Sequence, residues 1–369
     1  MVTRLFRINV PNDDLDDLRD RLTRCRWPDE AEGAGWDYGV PVAWLRELCD
    51  YWRDEFDWRR EEERLNALPQ FLTYIRGTPI HYLHVRGQGP SPVPLLLTVG
   101  WPDTFAEVLP LLPLLTEFDV VVPTLPGFGF SSPYTRRGPR RVHDLWAMLM
   151  SDLGYDRFGA SGSDIGARVT SRLGRYHPER LIGIHLSSVD LEVPDPRPDD
   201  LTAEERDYLA RVERWESTQG GYAHIQGTAP QTLAYGLTDS PVGLAAWILE
   251  KFRAWSDCGG DVYTRFSRDD LLTAATIYWV TGTINSANRS YFEAQHDPDP
   301  LRLPPGTRIE VPTAIAMFPG EAELVVPRSL AERCYRVEQW TDMPRGGHFA
   351  AFEEPELLAD DIRRFFGKV

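Results

Sequence analysis

Lysine is nearly missing from this chain. Only Lys251 and Lys368 interrupt a basic complement that is otherwise arginine. That bias fits a GC-rich, bacterial coding sequence and points to no mechanism by itself. Positive charge is short overall: 56 Asp plus Glu face 40 Lys plus Arg, a formal net charge of −16. A surface of that sign repels nucleic acid and suits a neutral or cationic small molecule. Cysteine is scarce, with only Cys25, Cys49, Cys258 and Cys334. No two of them have metal-ligand or disulfide-framework spacing, so free thiols in a reducing compartment and no metal site are expected. Long apolar runs are lacking as well. The longest, around "VPLLLTV" at 93–99, is far too short to span a bilayer. The opening "MVTRLFRINVPNDD" has no apolar secretion-signal core. A cytoplasmic protein without membrane or nucleic-acid partners is expected.

What is present is an ordinary globular balance, 42% apolar and 26% charged, in 369 residues. That length suits one elaborated α/β unit. Residues 1–68 read as a helical accessory segment. "PNDDLDDLRDRLTRCRWP" places leucines at 15, 18 and 22 and stops at Trp27-Pro28. "PVAWLRELCDYWRDEFDW" carries Trp44, Leu45, Leu48, Trp52 and Phe56 at helical spacing, a stripe suited to packing on the main body. From residue 69 the period changes. "FLTYIRGTPIHYLHV" alternates about Gly77 as a hairpin, with His81 and His84 on opposite faces. Strands and helices then alternate, which predicts a mostly parallel sheet with helices on both faces. The rhythm breaks over 190–305, a Pro-rich then helical insertion, and resumes over 306–369 with "VPTAIAMFPG", "YRVEQWTDMP" and "EEPELLADDIRRFF". The core is therefore 69–189 with 306–369, and 190–305 is a helical lid inserted at one sheet edge.

"FGASGSDIGARV" at 158–169 runs from a strand through small residues into a helix. A nucleophile elbow needs small residues two before and two after its apex, because backbones approach closely there. Asp164 meets this with Gly162 and Gly166; Ser161 meets it less well, and Ser163 is flanked by the bulky Ile165. Asp164 is the expected nucleophile. In the α/β-hydrolase order an acid and then a histidine follow the nucleophile. His348 stands after Gly346-Gly347 and before the closing helix, the place of a general base. His143, His177, His185, His224 and His296 lack such a setting and read as structural or surface. For the acid, Glu321, Glu323 and Asp190 all remain open on the residues alone.

The nucleophile decides the chemistry. A carboxylate of ordinary pKa, about 4, is already ionised at neutral pH and attacks saturated carbon without a base. The product is an alkyl ester, which water activated by His348 can hydrolyse at the Asp164 carbonyl. A serine attacking the same carbon would leave an ether. Substrates opened at carbon, epoxides or alkyl halides, are implied, with the backbone N–H groups of Trp101 and Ile165 as the oxyanion hole.

These residues, with "GYAHIQGTAPQTLAYGLTDSPVGLAAWILEKF", "YWVTGTINSANRSYFE" and "RGGHFAAFEEPELLADDIRRF", resemble the microsomal-type epoxide hydrolases of the α/β-hydrolase superfamily over nearly the whole chain. The resemblance implies a hydrolase of ether bonds that forms vicinal diols without a cofactor. It assigns Asp164 as nucleophile, His348 as base, Glu321 as orienting acid, and Tyr222 and Tyr291 as donors to the epoxide oxygen. Tyr208, Tyr235, Tyr263 and Tyr278 keep a core-packing role. Two positions depart from the family: Val99 stands where His is usual, and Ile165 where Trp is common. The membrane anchor of eukaryotic members is not seen. The arginine bias is similar to actinomycete members, some of which hydrate epoxide intermediates in antibiotic biosynthesis, so an aromatic epoxide is a candidate substrate. A homodimer is compatible with the sequence. A haloalkane dehalogenase or ester hydrolase on the same scaffold is the alternative, but a dehalogenase needs halide donors and no alkoxide donors. A catalytically silent binding protein would show damage at Asp164, His348 or the tyrosines, and none is present.

Overall fold

The computed structural model describes residues 3–136, 141–187, 198–298 and 308–367. Nine strands form one sheet: β1 (Arg4–Leu5), β2 (Gln70–Ile75), β3 (Thr78–Val85), β4 (Val93–Thr98), β5 (Phe118–Pro123), β6 (Phe158–Gly162), β7 (Leu181–Ser187), β8 (Ile309–Met317) and β9 (Tyr335–Asp342). Their order is β1-β2-β3-β5-β4-β6-β7-β8-β9. β1 to β3 pair antiparallel and β3 joins β5 antiparallel; from β5 to β9 every neighbour is parallel. The fold is that of the α/β hydrolases, as the alternation of strands and helices predicts.

The parallel strands read as buried runs because both faces are covered. Successive strand residues point to opposite faces. On β7, Gly183 lies against Phe365 of the closing helix Pro355–Phe366, while Ile184 lies against Gly174 of the helix Ile165–Tyr176. The two helices therefore cap opposite faces. The β2–β3 hairpin turns through Arg76 and Gly77, both at positive φ (50° and 74°), the two-residue turn that follows the strand twist. His81 and His84 both lie buried, bonded to Thr124 and Gln70 and to Tyr155 respectively.

The first segment differs from its sequence reading in two respects. Its helical stripe is broken: one helix spans Val42–Asp54, and a second, Trp58–Asn66, starts after Asp57, whose carboxylate accepts from the N–H groups of Arg59 and Arg60. Phe56 lies between them and is still buried. An N-cap aspartate outcompetes continuation of the helix there. The first helix, Asn12–Thr23, also ends before the Trp27-Pro28 stop. Second, the segment is not purely helical, because β1 extends the sheet edge. Its chain is tied back by Asn66, which exchanges two 2.8 Å bonds with the backbone of Ile8.

The first segment is bonded to one of the helices between β7 and β8. Trp52 Nε1 donates to Thr276 at 3.0 Å and the Tyr51 hydroxyl to Asp269 at 2.9 Å, both on the helix Arg268–Thr281. Among the described residues no helix is long and apolar enough to cross a membrane.

The ends of β4 and β6 pair side by side, Thr98 opposite Gly162. A Cβ on Gly166 would sit 1.9 Å from the Thr98 carbonyl oxygen. We expect Gly166→Ala to cost about 2–4 kcal/mol, at or above the usual cost of overpacking, since the opposing atom is backbone and cannot swing away. Urea denaturation of the variant beside the wild type measures this.

Candidate active site

Four strand ends supply the site: β4, β6, β8 and β9. This is the C-terminal edge of the parallel sheet, where the loops leave a crevice. Asp164 stands between β6 and its helix at φ 51°, ψ −125°, a strained conformation for any residue with a side chain. The strain turns its carboxylate back toward the end of β4. A Cβ on Gly100 would lie 1.9 Å from Asp164 Oδ1, so only glycine admits it. The Trp101 N–H donates to that oxygen at 2.9 Å. Ile165 opens the following helix, where an N–H has no carbonyl of its own helix to meet.

His348 is 6% exposed and faces Asp164, with Nε2 3.7 Å from Oδ2. Its Nδ1 lies 2.5 Å from Glu321 Oε1. The loop that carries it is pinned on both sides. The His348 N–H donates to the Trp255 carbonyl at 2.9 Å, and the Gly346 carbonyl accepts from Gly320 N–H at 2.8 Å, beside Glu321. Of the three acids left open by the residues alone, Glu321 meets His348. Asp190 lies outside the described residues, as does the side chain of Glu323.

Tyr222 and Tyr291 come from two helices, Gly221–Thr228 and Ile284–Gln295, and meet over Trp101. Tyr222 stacks on the Trp101 ring at 5.1 Å and 7°, and Tyr291 meets it edge-on at 6.0 Å. The two phenol rings are 5.9 Å apart, close enough for each hydroxyl to act on the other. Burial, then the Asp164 charge, push the Tyr222 phenol well up; burial, then Tyr222 and Asp164, do the same to Tyr291. Both remain protonated donors.

Ser161 is buried with its hydroxyl 3.1 Å from His185 Nδ1, and His185 Nε2 is 3.1 Å from Asp361. The serine thus does more than line the turn: it belongs to a polar core network. His143 packs on Tyr176, His177 contacts Asp144, and His224 and His296 are exposed. Tyr208 and Tyr278 are buried, but Tyr235 is 74% exposed and so does not pack in the core. It sits on the outward side of the helix Pro230–Asp239. Tyr263 stacks partly exposed on Trp44. Among the described residues no group of three or more His, Cys, Asp or Glu could hold a metal ion.

Sequence reasoning missed Asp103 and Glu107. Asp103 is 3% exposed and its Oδ2 accepts from Gly100 N–H at 3.3 Å. Burial chiefly raises the Asp103 carboxyl to about 6, and burial with the Asp103 charge lifts Glu107 well above the usual range. The Asp103 charge opposes the charged form of Glu107, so Glu107 is the harder of the two to ionise. Position alone could have flagged Asp103, two residues past the oxyanion Trp101. These acids bear on His348. Burial opposes its charged form, but Glu321, then Asp164 and Asp103, outweigh burial and raise it from 6.5 to about 10. That balance favours an imidazolium facing the Asp164 carboxylate.

An "Epoxide hydrolase N terminus" family description matches residues 3–108. A Stigmatella aurantiaca (strain DW4/3-1) protein described as a candidate epoxide hydrolase is 41% identical over 98% of this chain and 84% of its own. Epoxide hydrolase 1 of Oryctolagus cuniculus is 35% identical over 99% of this chain and 89% of its own. The structure of Aspergillus niger epoxide hydrolase matches with a TM-score of 0.87 at 30% identity, covering 100% of this chain and 97% of that one. Juvenile hormone epoxide hydrolase from the silkworm Bombyx mori matches at 0.89 and 29%, covering 100% and 94%.

Asp164 is one of the charges that hold the proton on His348. Neutralising it as Asp164→Asn, which imitates the uncharged ester, should lower the His348 midpoint from about 10 toward 6.5. An NMR titration of the imidazole reads the shift; an unchanged midpoint would mean the two groups do not interact.

Proposed function

The chain belongs to the epoxide hydrolase family, and on that premise we propose which residues carry the reaction. The protein hydrolyses epoxides. The observation that supports the roles is the unbroken series of contacts from Trp101 N–H through Asp164 and His348 to Glu321, at 2.9, 3.7 and 2.5 Å, with two phenols packed on Trp101. Residues 190–305 act as its lid and 1–68 as an accessory segment that braces the lid.

Tyr222 and Tyr291 hydrogen-bond the epoxide oxygen while the Asp164 oxygen that faces His348 attacks a ring carbon. The C–O bond of the ring breaks, and the developing alkoxide takes a phenol proton. The resting imidazolium balances that proton by restoring the phenol. His348 is thereby neutral when it is needed as a base, and loss of the Asp164 charge on esterification favours the same change. A water molecule then gives a proton to Nε2 and attacks the Asp164 carbonyl carbon. The oxygen held by Trp101 N–H becomes the oxyanion, where a fixed donor stabilises charge as it develops. Collapse breaks the ester bond. The departing alkoxide takes the proton of the new carboxyl, which releases the diol and regenerates the carboxylate and the imidazolium. Glu321 orients His348 and stabilises its charged form.

The substrate we favour carries an aromatic or apolar substituent. Trp101, Tyr222, Tyr291 and Trp255 pack ring to ring at the site. Beside them Val99, Leu125 and Phe128 line a small cavity of about 20 Å³. The valine leaves that wall apolar where the family's histidine would make it polar. An intermediate of antibiotic biosynthesis is one source of such an epoxide.

A single turnover on styrene oxide in oxygen-18 water, with enzyme in excess, tests the mechanism. The diol should be unlabelled and the label should stay on Asp164. Label in the first diol would show water attacking the ring directly. Asp164→Ala should abolish the ester intermediate, whereas Ser161→Ala should retain it.

A further inference from the structure

The chain keeps two lysines among forty basic residues, and one of them is buried beside the site. Lys251 lies on the helix Pro241–Trp255 and is 8% exposed. Its ammonium stands 4.8 Å from the centre of the Tyr222 ring and 5.6 Å from that of Trp255. The neighbouring Glu250, partly exposed, pairs with it. The rest of the ring's surroundings is aromatic: Trp101 stacks on it at 5.1 Å, and Trp255, which the ammonium also meets, approaches at 5.2 Å. The charged groups that act on the Tyr222 phenol are Asp164, Arg168 and Glu321. Lys251 meets the π face instead.

A cation over an aromatic face is held by the ring quadrupole. That attraction grows as the ring becomes richer in electrons. A phenol that gives up its proton pushes charge into its ring, so the contact strengthens during ring opening and not before it. Interactions that strengthen only in the transition state accelerate the step. A guanidinium spreads the same charge over a broad plane, whereas an ammonium is a compact point charge. The compact charge fits the confined gap between Tyr222 and Trp255.

We propose that Lys251 is a positioning residue for ring opening, stabilising Tyr222 through its ring face as the phenol transfers its proton to the epoxide oxygen. The proposal rests on the reading of Tyr222 as an oxygen donor. No further reactant is involved: the proton moves from Tyr222 to the alkoxide as described, and Lys251 keeps its own.

Stopped-flow kinetics on styrene oxide separates alkylation from ester hydrolysis, and a double-mutant cycle with Tyr222→Phe isolates the pair. Lys251→Met should slow alkylation about tenfold, the effect of a desolvated cation–π contact. Hydrolysis of the ester and substrate affinity should stay within about twofold, as no charge develops on Tyr222 in either. In the Tyr222→Phe background the same change should cost less than about twofold, because Phe develops no charge. Equal slowing in both backgrounds, or equal slowing of both chemical steps, overturns the role of Lys251 while leaving the Tyr222 reading intact. A Tyr222→Phe enzyme that alkylates at the wild-type rate overturns the Tyr222 reading itself. Lys251→Gln, which keeps a polar end in the gap, should repeat the pattern if Lys251→Met does not fold.

Discussion

Two backbones touch at the centre of this molecule, and the rest of the site is arranged around that contact. The end of β4 and the turn after β6 approach so closely that a methyl group at Gly100 or Gly166 would overlap its neighbour. The sheet register sets this closeness, since Thr98 pairs with Gly162. Asp164 has nowhere to go but into a positive-φ conformation that aims its carboxylate at the Trp101 N–H. The strain is held by a fully paired sheet on one side and a helix on the other.

Around that carboxylate the protein gathers more negative charge than the reaction consumes. Glu321, Asp164 and Asp103 all favour the charged form of one buried imidazole, against the cost of its burial. Burial, then the Asp103 charge, push the Glu107 carboxyl well above the usual range. The surplus has a use: it makes His348 respond to the state of Asp164. In the proposed reaction, a charged Asp164 favours a proton on His348, and an Asp164 ester removes one source of that preference. In that proposal a single electrostatic coupling separates ring opening from ester hydrolysis.

The sequence disclosed the parts whose signals are local. The elbow shows as glycines two residues either side of Asp164, the base as a histidine after two glycines, and the sheet as alternating strands and helices. The tyrosine pair came from the resemblance, because two lid tyrosines among fourteen carry no local mark of their partnership. The acid stayed open on the residues for the same reason: Glu321 meets His348 across two loops joined by tertiary bonds such as Gly320 N–H to the Gly346 carbonyl. Asp103 and Glu107 look like solvated loop charges in the sequence and are buried only because the β4 turn, the first segment and the lid helices close over them. β1 was illegible because two residues have no period, and their pairing depends on a strand far along the chain. Tyr235 was misread for the converse reason, an aromatic residue on a helix face that no other element covers.

The brace between the first segment and the lid has a consequence for how the protein is made. Trp52 and Tyr51 find their partners 224 and 218 residues later, on the helix Arg268–Thr281. At a ribosomal rate of about 5–20 residues per second, that helix follows by roughly 10–45 seconds. For that interval Trp52 and Tyr51 have emerged without these two partners, although the rest of the stripe can already meet its own segment, as Trp36 meets Trp44. A nascent chain of this design carries two aromatic side chains that wait on the helix Arg268–Thr281 to complete their burial.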